Sequence, residues 1–254
     1  MIERPTVLIT GAARRIGAEV ARAFAQAEWH VVIHYGGSRD EAEALAASLP
    51  SAQTISTDLS DATAVAAMVE TLAPQFGNWR VVVNCASVFQ LDTVEHLDPD
   101  AFDHAMRVNA AAPALLAQAF LAQPRGRHGR RVINVTDQKI ANPNPDFFSY
   151  TMSKNALAAT IPMLAMAATD LHDRVYGLAP GAILASHDQH EEETERSHRM
   201  NLLARKTGAD EIAQAALFLA EGWLASGETL FIDSGQHLLS QPRDVLFLAR
   251  EGFD

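Results

Sequence analysis

The chain has 254 residues, 48% of them hydrophobic, which suits one large α/β domain spanning residues 1–254. A formal net charge of −11 repels phosphate backbones, so no nucleic-acid partner is expected. No apolar run reaches the ~18 residues a membrane span needs, and the start MIERPTVLITGAARRIG lacks a secretory pattern. The one cysteine, Cys85, excludes an internal disulfide and fits a reducing, cytoplasmic setting; it reads as a small core residue.

In chain order, β-branched runs predict strands at 7–10, 31–34, 54–56, 81–84, 132–135, 175–178 and 230–233. Alanine-rich amphipathic stretches predict helices at 16–27, 41–48, 62–76, 102–122, 150–169 and 211–220. That alternation argues for a Rossmann-type, doubly wound parallel sheet of about seven strands with helices on both faces. The runs 81–83 and 132–135 hardly alternate, as central strands buried on both sides should. Pro113 falls inside a helical pattern and should kink it or displace a hydrogen bond. The basic cluster 125–131 reads as a solvated loop entering a strand. The charged stretch 186–205 breaks the rhythm and reads as a substrate lid over about 184–206, or as a solvated helix pair. His187, His190 and His198 within it fit no compact metal-ligand spacing, so no metal is expected. The tail 241–254 carries an apolar patch at 245–248, suited to packing on its own domain or a neighbouring subunit.

Three constellations carry chemistry. The first strand runs into Thr10-Gly11-Ala12-Ala13-Arg14-Arg15-Ile16-Gly17 and then a helix, the arrangement that binds a pyrophosphate at a helix N-terminus. Gly11 allows the sharp turn, and Gly17 lets the helix approach the sheet. Arg15 stands where the dinucleotide fingerprint has another glycine, and its guanidinium could face phosphate. Second, the strand ending His34-Tyr35-Gly36-Gly37-Ser38-Arg39 has no carboxylate at its tip to hold a ribose 2′-hydroxyl. Ser38 and Arg39, with Arg14 or Arg15, suit a 2′-phosphate instead, which favours NADP over NAD. The competing reading of Ser38 is a helix cap before Asp40 and Glu41. Third, Tyr150 and Lys154 lie four apart, one helical turn, as a proton-transfer pair in which the cation should pull the phenol's pKa down.

With these pieces in place, the chain resembles the short-chain dehydrogenase/reductase family over nearly its whole length. The resemblance rests on Thr10–Gly17, Asp58-Leu59, Asn84-Cys85-Ala86-Ser87, Asn109, Tyr150-x-x-x-Lys154 and Pro180-Gly181, in the family's order. It implies that Asp58 and Leu59 lie beside the adenine and that Asn84 and Ala86 line the nucleotide cleft. It also implies that Asn109 supports a water-linked proton relay through Lys154, that Tyr150 is the acid/base, and that Pro180 and Gly181 flank the nicotinamide. Arg15 in place of glycine, and Asp137 where the family has its catalytic serine, occur together in the pteridine reductase-like branch. That branch is similar too at His34-Tyr35-x-x-Ser38 and at Asn84-x-Ala86-Ser87-x-Phe89, whose phenylalanine stacks on a pterin ring.

An ionised aspartate only accepts hydrogen bonds, so Asp137 suits a substrate that presents N–H donors; near Tyr150 its charge also opposes Lys154 and suits a phenol kept protonated for donation. The expected reaction is hydride transfer from NADPH to a C=N bond of a dihydropterin, with Tyr150, Asp137 and a water delivering the proton. Arg15, Ser87 and Phe89 complete the expected substrate contacts. Competing readings of Asp137 and Phe89 are a turn cap and a core aromatic. Alternatives for the whole are a reductase of ordinary ketones or secondary alcohols, and an idle NADP(H)-binding regulator. The resemblance further implies a homotetramer built on the helices 102–122 and 150–169.

Overall fold

The computed structural model describes residues 2–123, 129–168, 170–183, 185 and 189–251. Among these, seven strands form one parallel sheet: β1 (Thr6–Ile9), β2 (His30–Tyr35), β3 (Ala52–Ser56), β4 (Trp79–Asn84), β5 (Arg131–Val135), β6 (Arg174–Pro180) and β7 (Thr229–Ile232). Their order is β3-β2-β1-β4-β5-β6-β7. Val81–Val83 and Val132–Ile133 are fully buried, as central strands covered on both faces must be. Strand order reverses beside β1, which pairs with β2 on one edge and β4 on the other. A crevice therefore opens beyond the carboxyl ends of β1 and β4.

The helices are α1 (Arg15–Gln26), α2 (Arg39–Ser48), α3 (Ala62–Leu72), α4 (Pro99–Ala105), α5 (Ala112–Leu121), α6 (Phe148–Ala167), α7 (Glu191–Ser197), α8 (Ala209–Glu221) and α9 (Val245–Glu251). Two cores lie on opposite faces of the sheet. One joins α1, α2 and α8 through Val20, Phe24, Leu45, Ile212 and Leu219. The other joins α3, α5 and α6 through Val65, Met68, Leu116, Phe120 and Ile161.

Each predicted strand and helix is present, with shifted ends and one interruption. The stretch 102–122 splits into α4, a π-helical segment Met106–Ala111, and α5. Pro113 explains the break: it has no N–H to donate and takes up the second position of α5, where no donor is needed. Helix α9 is an addition to the sequence reading. The apolar patch 245–248 packs on its own domain: Val245, Leu246 and Leu248 are buried. Arg243 is tied to Asp146 (Nε to Oδ2, 2.8 Å) and Arg250 to Glu193. Residues 252–254 and Thr169 lie outside the described residues.

Two expectations need correction. Of the basic stretch 125–131, residues 125–128 lie outside the described residues, but Arg130 and Arg131 are buried rather than solvated. Arg130 Nη2 pairs with Asp173 Oδ2 at 2.6 Å, and its Nη1 donates to the carbonyls of Phe120 and Gln123 beyond the end of α5. A guanidinium fits there because it satisfies carbonyls that the helix end leaves open. In the stretch 184–206, residue 184 and residues 186–188, His187 among them, lie outside the described residues. The described rest holds one helix rather than a solvated helix pair. That helix is α7, packed on α9, and His198 is buried.

Removing one partner of a buried ion pair strands the other. Asp173→Ala should therefore cost about 3–5 kcal/mol in urea unfolding. A change below about 1 kcal/mol would mean that Arg130 is served by the α5 carbonyls alone.

Candidate active site

The chain leaves β1 through Gly11, which adopts φ +65°; a Cβ there would lie 2.8 Å from Ala86 Cα. A Cβ on Gly17 would lie 2.5 Å from the Gly11 carbonyl oxygen, so only glycine lets α1 sit this close to the turn. Thr10 Oγ1 accepts from Cys85 N (3.0 Å) and Ala86 N (3.1 Å) and fastens the turn to the β4 loop. His34 braces the turn from beneath. Gly11 N donates to His34 Nδ1 (3.2 Å), which assigns the ring proton to Nε2, 3.0 Å from the Thr57 carbonyl. Burial lowers the His34 pKa, in keeping with a neutral ring. Arg15 keeps the left-handed backbone of the glycine it replaces, at φ 57°, a conformation that strains a side chain-bearing residue. Its Nη2 donates to the Ala185 carbonyl (3.2 Å), so it reaches toward the β6 side.

At the tip of β2, Ser38 occupies the N-cap position of α2 but makes no side-chain cap bond, so the capping reading does not hold. Arg39 and Arg14 are exposed; Arg39 pairs with Glu43 (3.5 Å) and lies over the Tyr35 ring (6.0 Å), and Arg14 pairs with Glu41 (3.4 Å). Such surface pairs contribute little and yield readily to a stronger anion.

Strand β5 and helix α6 bring the chemistry together. Tyr150 OH donates to Asp137 Oδ2 at 2.6 Å, and Lys139 N donates to Asp137 Oδ1 at 2.9 Å. Lys154 Nζ donates to the Val135 carbonyl at 2.8 Å and lies 5.7 Å from the Tyr150 ring centroid. The lowering expected of the Tyr150–Lys154 pair alone is reversed, and Asp137 opposes Lys154 as its charge implies. Burial, then the charge and hydrogen bond of Asp137, hold Tyr150 well above its ordinary range. Lys154 does not outweigh this: burial lowers its own pKa, and one of its three protons is held by a strand carbonyl. Burial likewise raises Asp137, against the bonds from Tyr150 and Lys139.

Asn109 sits in the π segment with its side chain fully engaged. Oδ1 accepts from Val88 N (2.8 Å) and Ser87 Oγ (3.2 Å), while Nδ2 donates to Val88 O (2.9 Å) and Ser153 Oγ (3.0 Å). Any relay function thus falls to its main-chain carbonyl, which Pro113, four residues on, cannot serve with an N–H. Asn84 is buried against Asn134 (2.8 Å), behind the cleft surface. Phe89 is 37% exposed, which removes the core-aromatic reading. One face of its ring stacks on Phe147 at 4.1 Å between centroids, and it meets Tyr150 edge-on at 4.7 Å.

A cleft of about 530 Å³ runs across these elements. Of the predicted residues, Gly11, Arg14, Arg15, Ile16, Gly17, Tyr35, Ser38, Ala86, Ser87, Phe89, Asp137, Tyr150, Lys154, Pro180 and Gly181 line it. His34, Arg39, Asp58, Leu59, Asn84 and Asn109 stand outside its wall. Asp58 is exposed and held by Ser60, and Leu59 is buried in the α3 core. The sequence reading missed Gln138, Lys139, Gln236, Asp244, Val245 and Leu246, which form the wall nearest the tail. Lys139 and Gln138 follow Asp137 directly, and that adjacency was the one available signal.

Residues 11–237 match the family described as enoyl-(acyl carrier protein) reductase. The chain belongs to the short-chain dehydrogenase/reductase family. Within this family it is 28% identical to pteridine reductase 1 of Leishmania tarentolae, over 92% of this chain and 96% of that one. The crystal structure of FolM alternative dihydrofolate reductase 1 from Brucella canis, complexed with NADP, superposes with a TM-score of 0.88 at 33% identity, covering 95% of this chain and 97% of that one. The structure of the angucycline C-6 ketoreductase LanV with bound NADP gives 0.84 at 27% identity, covering 94% and 100%. As a short-chain oxidoreductase, the chain resembles the family's pteridine reductase-like branch.

Cys85 lines this cleft, and burial pushes its thiol up to about 11. The thiol should therefore stay unmodified by a disulfide reagent at about pH 8 while an ordinary surface thiol reacts fully. Cys85 is only half-buried, so rapid stoichiometric labelling of native protein would contradict the raised pKa.

Proposed function

We propose that this short-chain reductase uses NADPH to reduce a ring C=N bond of a dihydropterin-type substrate. The observation that carries the reading is the Tyr150–Asp137 hydrogen bond: the phenol is the donor and the carboxylate the acceptor. A serine at position 137 could donate to a carbonyl oxygen that gains negative charge. A carboxylate cannot, but it can accept from N–H groups on a heterocycle.

The cleft fits a phosphorylated dinucleotide. The glycine turn leaves no room for a Cβ at Gly11 or Gly17, while a Cβ on Gly36 or Gly37 would meet nothing within 4 Å. Gly11, Arg14, Arg15, Ile16 and Gly17 would hold the pyrophosphate at the start of α1. Ser38, with its hydroxyl unused for capping, and Arg39 and Arg14 would hold a 2′-phosphate. Tyr35, Ala86, Pro180 and Gly181 would flank the rest, with Lys154 on the nicotinamide ribose. The bound cofactor supplies the hydride.

The chain itself orients the substrate and manages the proton. Phe89, with one face on Phe147, offers its other face to a planar ring. Asp137 accepts from the substrate's N–H edge, and Ser87 and Arg15 complete the enclosure. Tyr150 carries the proton on its phenol oxygen, where burial and Asp137 keep it until a ring nitrogen accepts it. A second reading, reduction of a ketone, is supported by the likeness to the LanV ketoreductase. The family's tetramer, built on α4–α5 and α6, is part of the same proposal.

Purified protein with NADPH should oxidise the cofactor with dihydropterins or dihydrofolate, followed by absorbance of the reduced nicotinamide. Oxidation with ketones alone would replace the first reading by the second, and none at all would leave a cofactor-binding regulator. Tyr150→Phe should lower kcat at least about 100-fold, the scale of a lost general acid, with NADPH affinity nearly intact. Because the phenol's pKa is raised, reduction should show no alkaline loss from tyrosinate up to about pH 9. Asp137→Asn removes the charge that raises it, so the residual rate should lose its alkaline limb at lower pH. An unmoved limb would dissociate Asp137 from the phenol. Arg39→Glu should weaken NADPH binding about tenfold or more and leave NADH binding unchanged.

A further inference from the structure

The tail side of the cleft is rich in acceptors that the chain does not use up. Asp137 has one bond on each oxygen, from Lys139 N and Tyr150 OH. Asp244 is in the same state: its Oδ2 meets Lys139 Nζ at 2.7 Å and its Oδ1 accepts from Leu246 N at 3.0 Å. Each carboxylate has room for about four hydrogen bonds, so about half of that capacity is open at both. The same cleft is lined by Gln138, only 4% exposed, whose Oε1 finds no donor among the described residues. A buried acceptor with no donor is costly, and a ligand's N–H would relieve that cost.

Lys139 has no further proton for the open capacity of these acceptors. Its ammonium is 5% exposed and bonded to Asp244, to Asn144 Oδ1 (3.0 Å) and to the Asp146 carbonyl (3.3 Å), which uses its three protons. It therefore serves as a fixed counterion that locks Asp244 at the cleft wall. Capping α9 accounts for one oxygen of Asp244 and does not require it to line the cleft. The tail's attachment has a separate source, because Asp146 accepts from Arg243 Nε and Asp244 N, each at 2.8 Å.

We propose that Asp244, carried in by the C-terminal segment and held by Lys139, is a substrate-recognition residue. With Asp137 and Gln138 it forms an acceptor wall that selects a flat heterocycle with several N–H donors along one edge. The inference rests on the dihydropterin reading and adds the element that would discriminate such a ring from a ketone. The charge of Asp244 also reaches Tyr150 and adds to that of Asp137 in keeping the phenol protonated.

The test uses full-length protein saturated with oxidised NADP and titrated with pterin, read by quenching of pterin fluorescence, alongside steady-state kinetics with a dihydropterin. Asp244→Asn should raise the pterin Kd and the dihydropterin KM about tenfold, with the loss on KM rather than kcat. Asp244→Glu should recover part of it, and Gln138→Leu should show a smaller rise of its own. NADP affinity of Asp244→Asn should match wild type, since the Arg243–Asp146 tie remains. Unchanged pterin Kd and KM in Asp244→Asn would overturn the inference and leave the dihydropterin reading standing. Parallel loss of NADP and pterin binding would make Asp244 a structural cap and also overturn it. Wild-type protein that neither binds pterin nor reduces a dihydropterin would overturn both.

Discussion

A phenol donating to a buried carboxylate, Tyr150 to Asp137 at 2.6 Å, sets the polarity of the whole cleft. The carboxylate fixes which partner carries the proton. Burial and the neighbouring charge hold that proton on the phenol oxygen, while Lys154 donates one of its three ammonium protons to the Val135 carbonyl. A site arranged this way has a proton to give, acceptors to offer and few free donors. Such a balance matches an electron-poor ring with N–H groups better than a simple carbonyl compound.

That bond depends on the sheet. Asp137 follows the carboxyl end of β5, and Tyr150 comes from the first turn of α6, so their approach needs β5 central and α6 flat against it. The reversal of strand order beside β1 opens the crevice in which the glycine turn and the β5 end face each other. Between them, the π segment turns the Asn109 side chain inward, where it clamps the 87–88 loop to Ser153 of α6. A proline placed for its missing donor thus shapes the loop that presents Phe89 and Ser87.

Much of this was legible along the chain, and for local reasons. Strand and helix periodicities, the glycine turn and the Tyr150–Lys154 spacing are properties of short windows, whose geometry a few residues impose. The errors fell where a distant partner decides. Arg130 reads as solvated until Asp173 and the end of α5 meet it. The opposition of Asp137 to Lys154 at the phenol was legible, whereas the burial that leads the rise was not. His34 reads as a cleft contact, yet it props Gly11 from below. His198, in a stretch of charges, is buried all the same.

The sequence by itself determined the alternating parallel architecture, the nucleotide turn and the helical Tyr150–Lys154 pair, because backbone sterics and periodicity act within one or two turns of chain. Only the tertiary structure decided the burial that leads the rise of the Tyr150 phenol, the engagement of Asn109, and the arrival of Asp244 beside Lys139. Those follow from burial and from charges brought together across the fold, and no local pattern encodes how far water is excluded or which remote group fills the space.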